Sequence, residues 1–255
     1  MIDIHCHILP NVDDGPNDVE MSLSMARNAA NEGITHIIAT PHHRNGHFQN
    51  TKQEIISYVQ ALNNEIVKEG IPITILPGQE TRLNGDMVEE YENGSLLTLN
   101  NTERYVFVEF PANDIPRYTK QLLFDLQLKG LTPVIVHPER NRAIMENPNR
   151  LYRLVKDGSL TQVTAASVVG KFGKKIKELS MQLIEHSLTH FIASDAHNVT
   201  SRIFNMKAAY DQIEREFDRD LVDEFQLNAK LLVEGKDIYT HEPVEVRKKK
   251  RFGLF

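Results

Sequence analysis

Two histidines one residue apart, His5 and His7, stand at the head of the chain, and Asp13 and Asp14 follow in the same run, MIDIHCHILPNVDDGP. Imidazole and carboxylate are the side chains that hold divalent metals without thiolates, and the sequence adds more of them in short clusters: His42 with His43, Glu80, Glu109, His137, and Asp195 with His197. Such a set suits Mn, Fe, Zn or Mg, and its carboxylates favour the harder ions. In extended chain, residues i and i+2 point the same way, so both rings of His5-x-His7 can reach one ion, as can Asp195 and His197. The donors outnumber what one ion can use, which predicts two or three ions. The chemistry of such a cluster is hydrolysis, since bound metal makes hydroxide available at neutral pH and clamps the oxygens of a displacement. Arg140, three residues after His137 in HPER, and Arg202, five after His197 in DAHNVTSR, can grip a phosphate over the same face.

Residues this far apart meet only if the elements between them bring them together. Seven β-rich runs are predicted strands: MIDIH, ITHIIATPHH, IPITILPGQE, RYVFVEF, LTPVIVHPE, LTQVTAA and THFIASDAH. Amphipathic helices separate them. The first starts near Asn17 or Asp18 and stops at Gly33, and the second follows a capping box of Thr51 and Glu54. Further helices fall in RYTKQLLFDLQLKG, NRLYRLVKDG and GKKIKELSMQLIEHS, and MKAAYDQIEREF and LVDEFQLNAKLLVEG close the chain. Repeated β-then-α order implies parallel strands with helices outside, and seven such units imply a barrel. Six of the seven strands end on a histidine or carboxylate, at the face where barrels build active sites. A lone histidine such as His36, His186 or His190 carries no such meaning; the joint placement does.

At 255 residues the chain fits one large domain, placed at 1–240, with a basic tail over 241–255. The tail holds five consecutive cations, Arg247–Arg251, which read as a solvated segment or as a contact for anionic lipid or an acidic partner. A formal charge of −6 argues against a nucleic-acid binder. Cys6 is the only cysteine, so no internal disulfide forms and a reducing compartment is expected. There is no basic-then-apolar secretory leader and no apolar run near the roughly 20 residues of a membrane span, so a cytoplasmic protein is expected.

Together, MIDIHCHILPNVDDGP, GQE, VEF, HPER and IASDAHN resemble the polymerase-and-histidinol-phosphatase (PHP) metal hydrolases. More narrowly they resemble the manganese-dependent bacterial protein-tyrosine phosphatases of capsule and exopolysaccharide operons, and the likeness runs from Met1 to about Ile238. It implies a distorted TIM-like (β/α)7 barrel of the PHP type with a trinuclear manganese site. His5, His7, Glu80 and Asp195 would hold one ion, Glu80 would bridge to a second held by Glu109 and His137, and Asp14, His42 and His197 would hold the third. Spacing leaves Asp13 against Asp14 and His42 against His43 open; the family pattern chooses Asp14 and His42. Glu109 stands where many PHP members carry histidine, which favours the tyrosine-phosphatase branch, and Arg140 and Arg202 match its phosphate-binding arginines. The implied substrate is a tyrosine-phosphorylated protein such as the tyrosine-rich tail of a bacterial kinase in polysaccharide synthesis. A small-molecule phosphatase, such as histidinol phosphatase, and a metal-holding scaffold without activity are the alternatives. Cys6 lacks the phosphate-cradling loop of a Cys-X5-Arg phosphatase, and strand alternation turns it from its histidine neighbours, so it reads as packing.

Overall fold

The computed structural model describes residues 1–246; the cations Arg247–Arg251 of the expected tail lie outside the described residues. The strands are β1 (Ile2–Cys6), β2 (His36–Ala39), β3 (His42–His43), β4 (Thr74–Pro77), β5 (Glu80–Arg82), β6 (Tyr105–Glu109), β7 (Thr132–Val136), β8 (Leu160–Thr164) and β9 (Phe191–Ala193). Between and after them lie α1 (Val19–Asn31), α2 (Lys52–Lys68), α3 (Met87–Glu92), α4 (Thr119–Leu128), α5 (Arg142–Glu146), α6 (Asn149–Lys156), α7 (Ala165–Val168), α8 (Lys174–Glu185), α9 (Met206–Glu216) and α10 (Arg219–Val233). The helix starts follow local chemistry. Asp18 Oδ1 accepts from Met21 N at 2.7 Å to cap α1, and the Glu54 carboxylate reaches back to Thr51 N at 2.9 Å ahead of α2.

Every strand pairing is parallel. The strands form two sheets, in the orders β1-β2-β4 and β3-β5-β6-β7-β8-β9. Two of the seven expected strands are therefore each divided: β2 passes into β3, and β4 into β5. Pro41 has no N–H to give a ladder, and Thr40 N turns instead to Cys6 O at 2.9 Å. Opposite it, a Cβ on Gly78 would lie 2.5 Å from Ile38 Cγ2, so only glycine allows this approach. The division moves β3 and β5 into the larger sheet, where His42 and Glu80 are direct partners. At the other side β1 meets the segment just after β9 through a single bridge, Cys6 to Ala196, flanked by Asp195 N to His5 O and His7 N to Ala196 O, both 2.9 Å.

Three short helices were not expected. The sixth predicted strand ran to Ala166, whereas β8 stops at Thr164 and α7 begins at once; α3 and α5 are likewise too short to show a periodicity. Alternation along the strands separates two apolar clusters. Val106, Val108, Ile135 and Val163 face the helices, while Tyr105, Phe107, Val134, Val136 and Leu160 pack inward with Ala229 and Leu232 of α10. Among the described residues no helix is long and apolar enough to cross a membrane.

Candidate metal centre

The polar residues gather above the inner cluster, where the His5 ring lies 5.0 Å from that of Phe107. His5 Nε2 and His7 Nε2 are 3.4 Å apart, so the His-x-His pair does turn both rings to one point. Glu80 Oε2 lies 3.3 Å from His7 Nε2 and 3.6 Å from His5 Nε2, and Asp195 Oδ1 lies 3.4 and 3.6 Å from the same atoms. Glu80 reaches further groups through both oxygens, with His42 Nδ1 and His137 Nε2 each at 2.8 Å. Glu109 Oε2 is 3.8 Å from His42 Nδ1. Asp14 Oδ1 faces His197 Nε2 at 3.2 Å and His42 Nε2 at 3.5 Å.

The donors thus form one continuous cluster with three foci close enough to share an ion: His5, His7 and Glu80; His42, Glu80 and Glu109; and His7, Asp14, His42 and His197. The grouping differs from the implied one in detail. His42 stands between the second and third foci, and His137 touches Glu80 from the side.

The side chains fit metal. His42 Nδ1, Glu80 Oε2, Glu109 Oε2 and His197 Nε2 are buried and, close as they lie to other donors of the cluster, make no hydrogen bond of proper geometry; buried polar atoms left so are costly unless something binds them. Three imidazoles are held in one tautomer by an acceptor on Nδ1, which leaves Nε2 facing the cluster. His5 donates to Gln162 Oε1 at 2.9 Å, His7 to Asp13 Oδ2 at 2.6 Å and His197 to Asp195 O at 2.9 Å. Burial, and then His7 nearby, hold His197 down at about 4; burial and then Arg140 do the same for His137, so both rings are neutral and ready to ligate. Burial, reinforced by Glu80, lifts the Glu109 carboxyl to about 7. Burial also disfavours charge on Asp195, yet Arg140, His7 and His5 outweigh it and hold this carboxyl well below its ordinary range.

Both arginines converge on Asp195. Arg140 and Arg202 each donate through NH2 to Oδ2, at 2.6 and 2.9 Å, while Oδ1 faces the histidines. They line a cavity of about 270 Å³ together with His42, Glu109, Phe110 and His137. His137 and Asp195 take left-handed backbone, with φ of 35° and 52°, a strain of roughly 1–3 kcal/mol each that is typical of functional positions.

Spacing could not separate the adjacent pairs, and the geometry does. Asp13 stands behind His7 and also accepts from His42 N at 3.1 Å, while His43 turns away toward Glu90, 3.9 Å off. Sequence reasoning passed over Gln162 and Arg82. Gln162 is the one amide on the inward register of β8, a signal available in LTQVT. Arg82 grips Glu109 Oε1 at 3.1 Å, and nothing in its spacing announced that. Cys6 is fully buried, and its Sγ donates to Ala196 O at 3.4 Å. Burial, with Asp3 and Asp195 near, holds its thiol well above the ordinary value, so no thiolate is at hand.

The family described as capsular polysaccharide synthesis, CpsB/CapC, matches the chain over residues 1–234. Tyrosine-protein phosphatase YwqE of Bacillus subtilis (strain 168) is 48% identical over 255 residues, covering 100% of both chains. Tyrosine-protein phosphatase CpsB of Streptococcus pneumoniae is 34% identical over 224 residues, covering 85% of this chain and 91% of that protein. A crystal structure from work on YwqE of Bacillus subtilis and CpsB of Streptococcus pneumoniae, described as unique metal-dependent tyrosine phosphatases, superposes with a TM-score of 0.95 at 47% identity, over 97% of this chain and 100% of that one.

Proposed function

This chain belongs to the CpsB/CapC family of capsular polysaccharide synthesis, and from that membership we propose that it is a metal-dependent protein-tyrosine phosphatase, independent of cysteine. The observation that carries the reading is Asp195, whose one oxygen serves the imidazole cluster and whose other holds two arginines at the mouth of a cavity. His5, His7, Glu80 and Asp195 would hold one ion, Glu80, Glu109 and His137 a second, and Asp14, His42 and His197 a third, with His42 close enough to serve the second as well. Manganese suits this donor set, and Fe, Zn or Mg could stand in. Bound there, the metal supplies Lewis-acid charge and activated water. Arg140 and Arg202 spend one N–H each on Asp195 and keep the rest of each planar fork for phosphoryl oxygens, where developing charge strengthens the contact. Phe110 gives the cavity an apolar wall for the phenyl ring. Tyrosinate leaves readily, its conjugate acid having a pKa of about 10.

Together the two sheets and the bridge from β1 to the segment after β9 support a distorted seven-unit barrel over residues 1–240, with 241–255 as the tail. Acting in the cytoplasm on a bacterial tyrosine kinase and its targets is the matching role. The test is hydrolysis of a phosphotyrosine peptide beside histidinol phosphate. Exhaustive chelation should abolish peptide turnover and Mn restore it, while iodoacetamide leaves it intact. Full activity with metal content at nil would sink the reading, and preference for histidinol phosphate would move it to a small-molecule phosphatase.

A further inference from the structure

Beside the metal centre, α4 and α6 leave a surface groove of about 480 Å³ whose charge runs against that of the whole chain. The chain carries −6 overall, yet this groove is lined by Arg117, Lys120, Arg150, Arg153 and Lys156 against the single carboxylate of Asp157. Internal pairing neutralises little of this. Lys120 meets Asp157 at 2.8 Å and Arg150 meets Asp114 at 3.4 Å, whereas among the described residues Arg117 and Arg153 make no ion pair. Both are exposed. Like charges gathered with fewer counter-charges than cations repel, so the surplus is suited to an anion from outside.

The groove and the cavity lie on either side of one short segment, with Ala112 lining the cavity and Ile115 the groove. Residues 111–115 form a shared wall: Asn141, which lines the cavity, donates to Pro111 O at 2.8 Å and Asp114 O at 3.1 Å, and Arg150 in the groove donates to Ile115 O at 3.2 Å. A polypeptide with its phosphotyrosine between Arg140 and Arg202 can therefore run over this wall into the groove. The volume and the spread of charge along two helices suit an extended segment and exceed what a single phosphate needs.

We propose that this groove docks an acidic stretch of the substrate protein flanking its phosphotyrosine, a reading that rests on the phosphatase activity proposed above. Such a site selects among phosphoproteins by charge and raises the encounter rate, without touching the reacting atoms.

The test compares phosphotyrosine peptides that carry Glu and Asp on either side with the same peptides carrying Gln and Asn, and with p-nitrophenyl phosphate, on the metal-loaded protein. The wild type should favour the acidic peptide in kcat/KM by about tenfold at low ionic strength, mostly through KM, and the preference should shrink at high salt. Arg117→Glu with Arg153→Glu should erase the preference and leave p-nitrophenyl phosphate turnover unchanged; Arg117→Gln with Arg153→Gln should reduce it. Equal kcat/KM for the two peptides in the wild type would overturn the docking site while leaving the phosphatase reading intact. A double variant that keeps the preference but loses binding to phosphatidylglycerol vesicles would overturn it in favour of a membrane contact. Failure of the wild type on every phosphotyrosine substrate would instead remove the phosphatase reading, and the docking site with it.

Discussion

Asp13 and Asp14 share a chemistry and differ in direction: Asp13 Oδ2 takes the His7 Nδ1–H at 2.6 Å, and Asp14 Oδ1 looks at His197 Nε2 from 3.2 Å. On the proposed metal site Asp13 would therefore act from behind, through the His7 ring and the His42 backbone, and not as a ligand. Asp13→Ala should weaken metal binding by about 10–100-fold, with Asp13→Asn milder because its amide oxygen still accepts. Metal content after dialysis against graded chelator reads this directly, and unchanged retention would show that His7 needs no support. Arg140→Ala and Arg202→Ala address the other side of the site. Each should lower kcat on a phosphotyrosine peptide by roughly a hundred- to a thousand-fold, as lost oxyanion donors do, and Lys at either position should rescue only in part. Metal content should stay near wild type, since the arginines hold Oδ2 of Asp195 and the histidines face Oδ1. Wild-type rates in both variants would return them to ordinary surface residues.

At the scale of elements, the β1–α1 loop and the β8–β9 pair each make a separable claim. A Cβ on Gly15 would run into the carbonyl of His7, so Gly15→Ala should push the Asp13–Asp14 turn off the cluster and cost metal more than stability, which paired metal analysis and thermal melting would resolve. His190, at the entry to β9, accepts from Thr161 N through Nδ1 at 3.1 Å, and burial holds it down at about 4. Above pH 6.5 it is neutral folded and unfolded, and its contribution is whole. As pH falls from 6.5 toward 4 the unfolded chain alone takes up the proton, and about 3 kcal/mol of stability is lost. Urea unfolding across that range should show a flatter acid limb in His190→Asn; an unchanged slope would mean an ordinary titration. The sequence had His190 as an unremarkable histidine, because burial comes from packing it cannot display. What it did display were the strand runs, since period-two apolar alternation and a histidine or carboxylate at six of the seven strand ends are local. It hid the divisions at Pro41 and Gly78, which depend on how closely β2 and β4 approach, and it hid Gln162 and Arg82, whose partners His5 and Glu109 lie on other strands. Whether Asp13 or Asp14 faces the cluster was out of reach of spacing, because adjacent residues in a turn have no fixed alternation, and only the family resemblance pointed to Asp14.

Over the whole molecule, five carboxylates (Asp13, Asp14, Glu80, Glu109 and Asp195) meet in a small region of a chain already at −6. Cations that bind the folded form and not the unfolded one stabilise it by mass action, about 2.7 kcal/mol at a hundred times Kd. For a chain of this size that is roughly 5–10 °C in melting temperature. Scanning calorimetry with and without chelator should show the drop, and reloading with Mn should reverse it. Equal melting temperatures would mean that the cluster is as stable empty as filled.

Asp195 faces the proposed metal site with Oδ1 and the proposed phosphate site, through two arginines, with Oδ2. A phosphate on the remaining N–H groups of Arg140 and Arg202 would share their positive charge with Oδ2 and leave the carboxylate richer in charge toward the metal side. Thermodynamic reciprocity then requires that whatever factor phosphate adds to metal affinity, metal adds to phosphate affinity. Slow loss of metal to a chelator in phosphate buffer, against faster loss in an uncharged buffer of equal ionic strength, would be the signature of that coupling. It would make product occupancy a brake on demetallation, so that an enzyme at work keeps its ions better than an idle one.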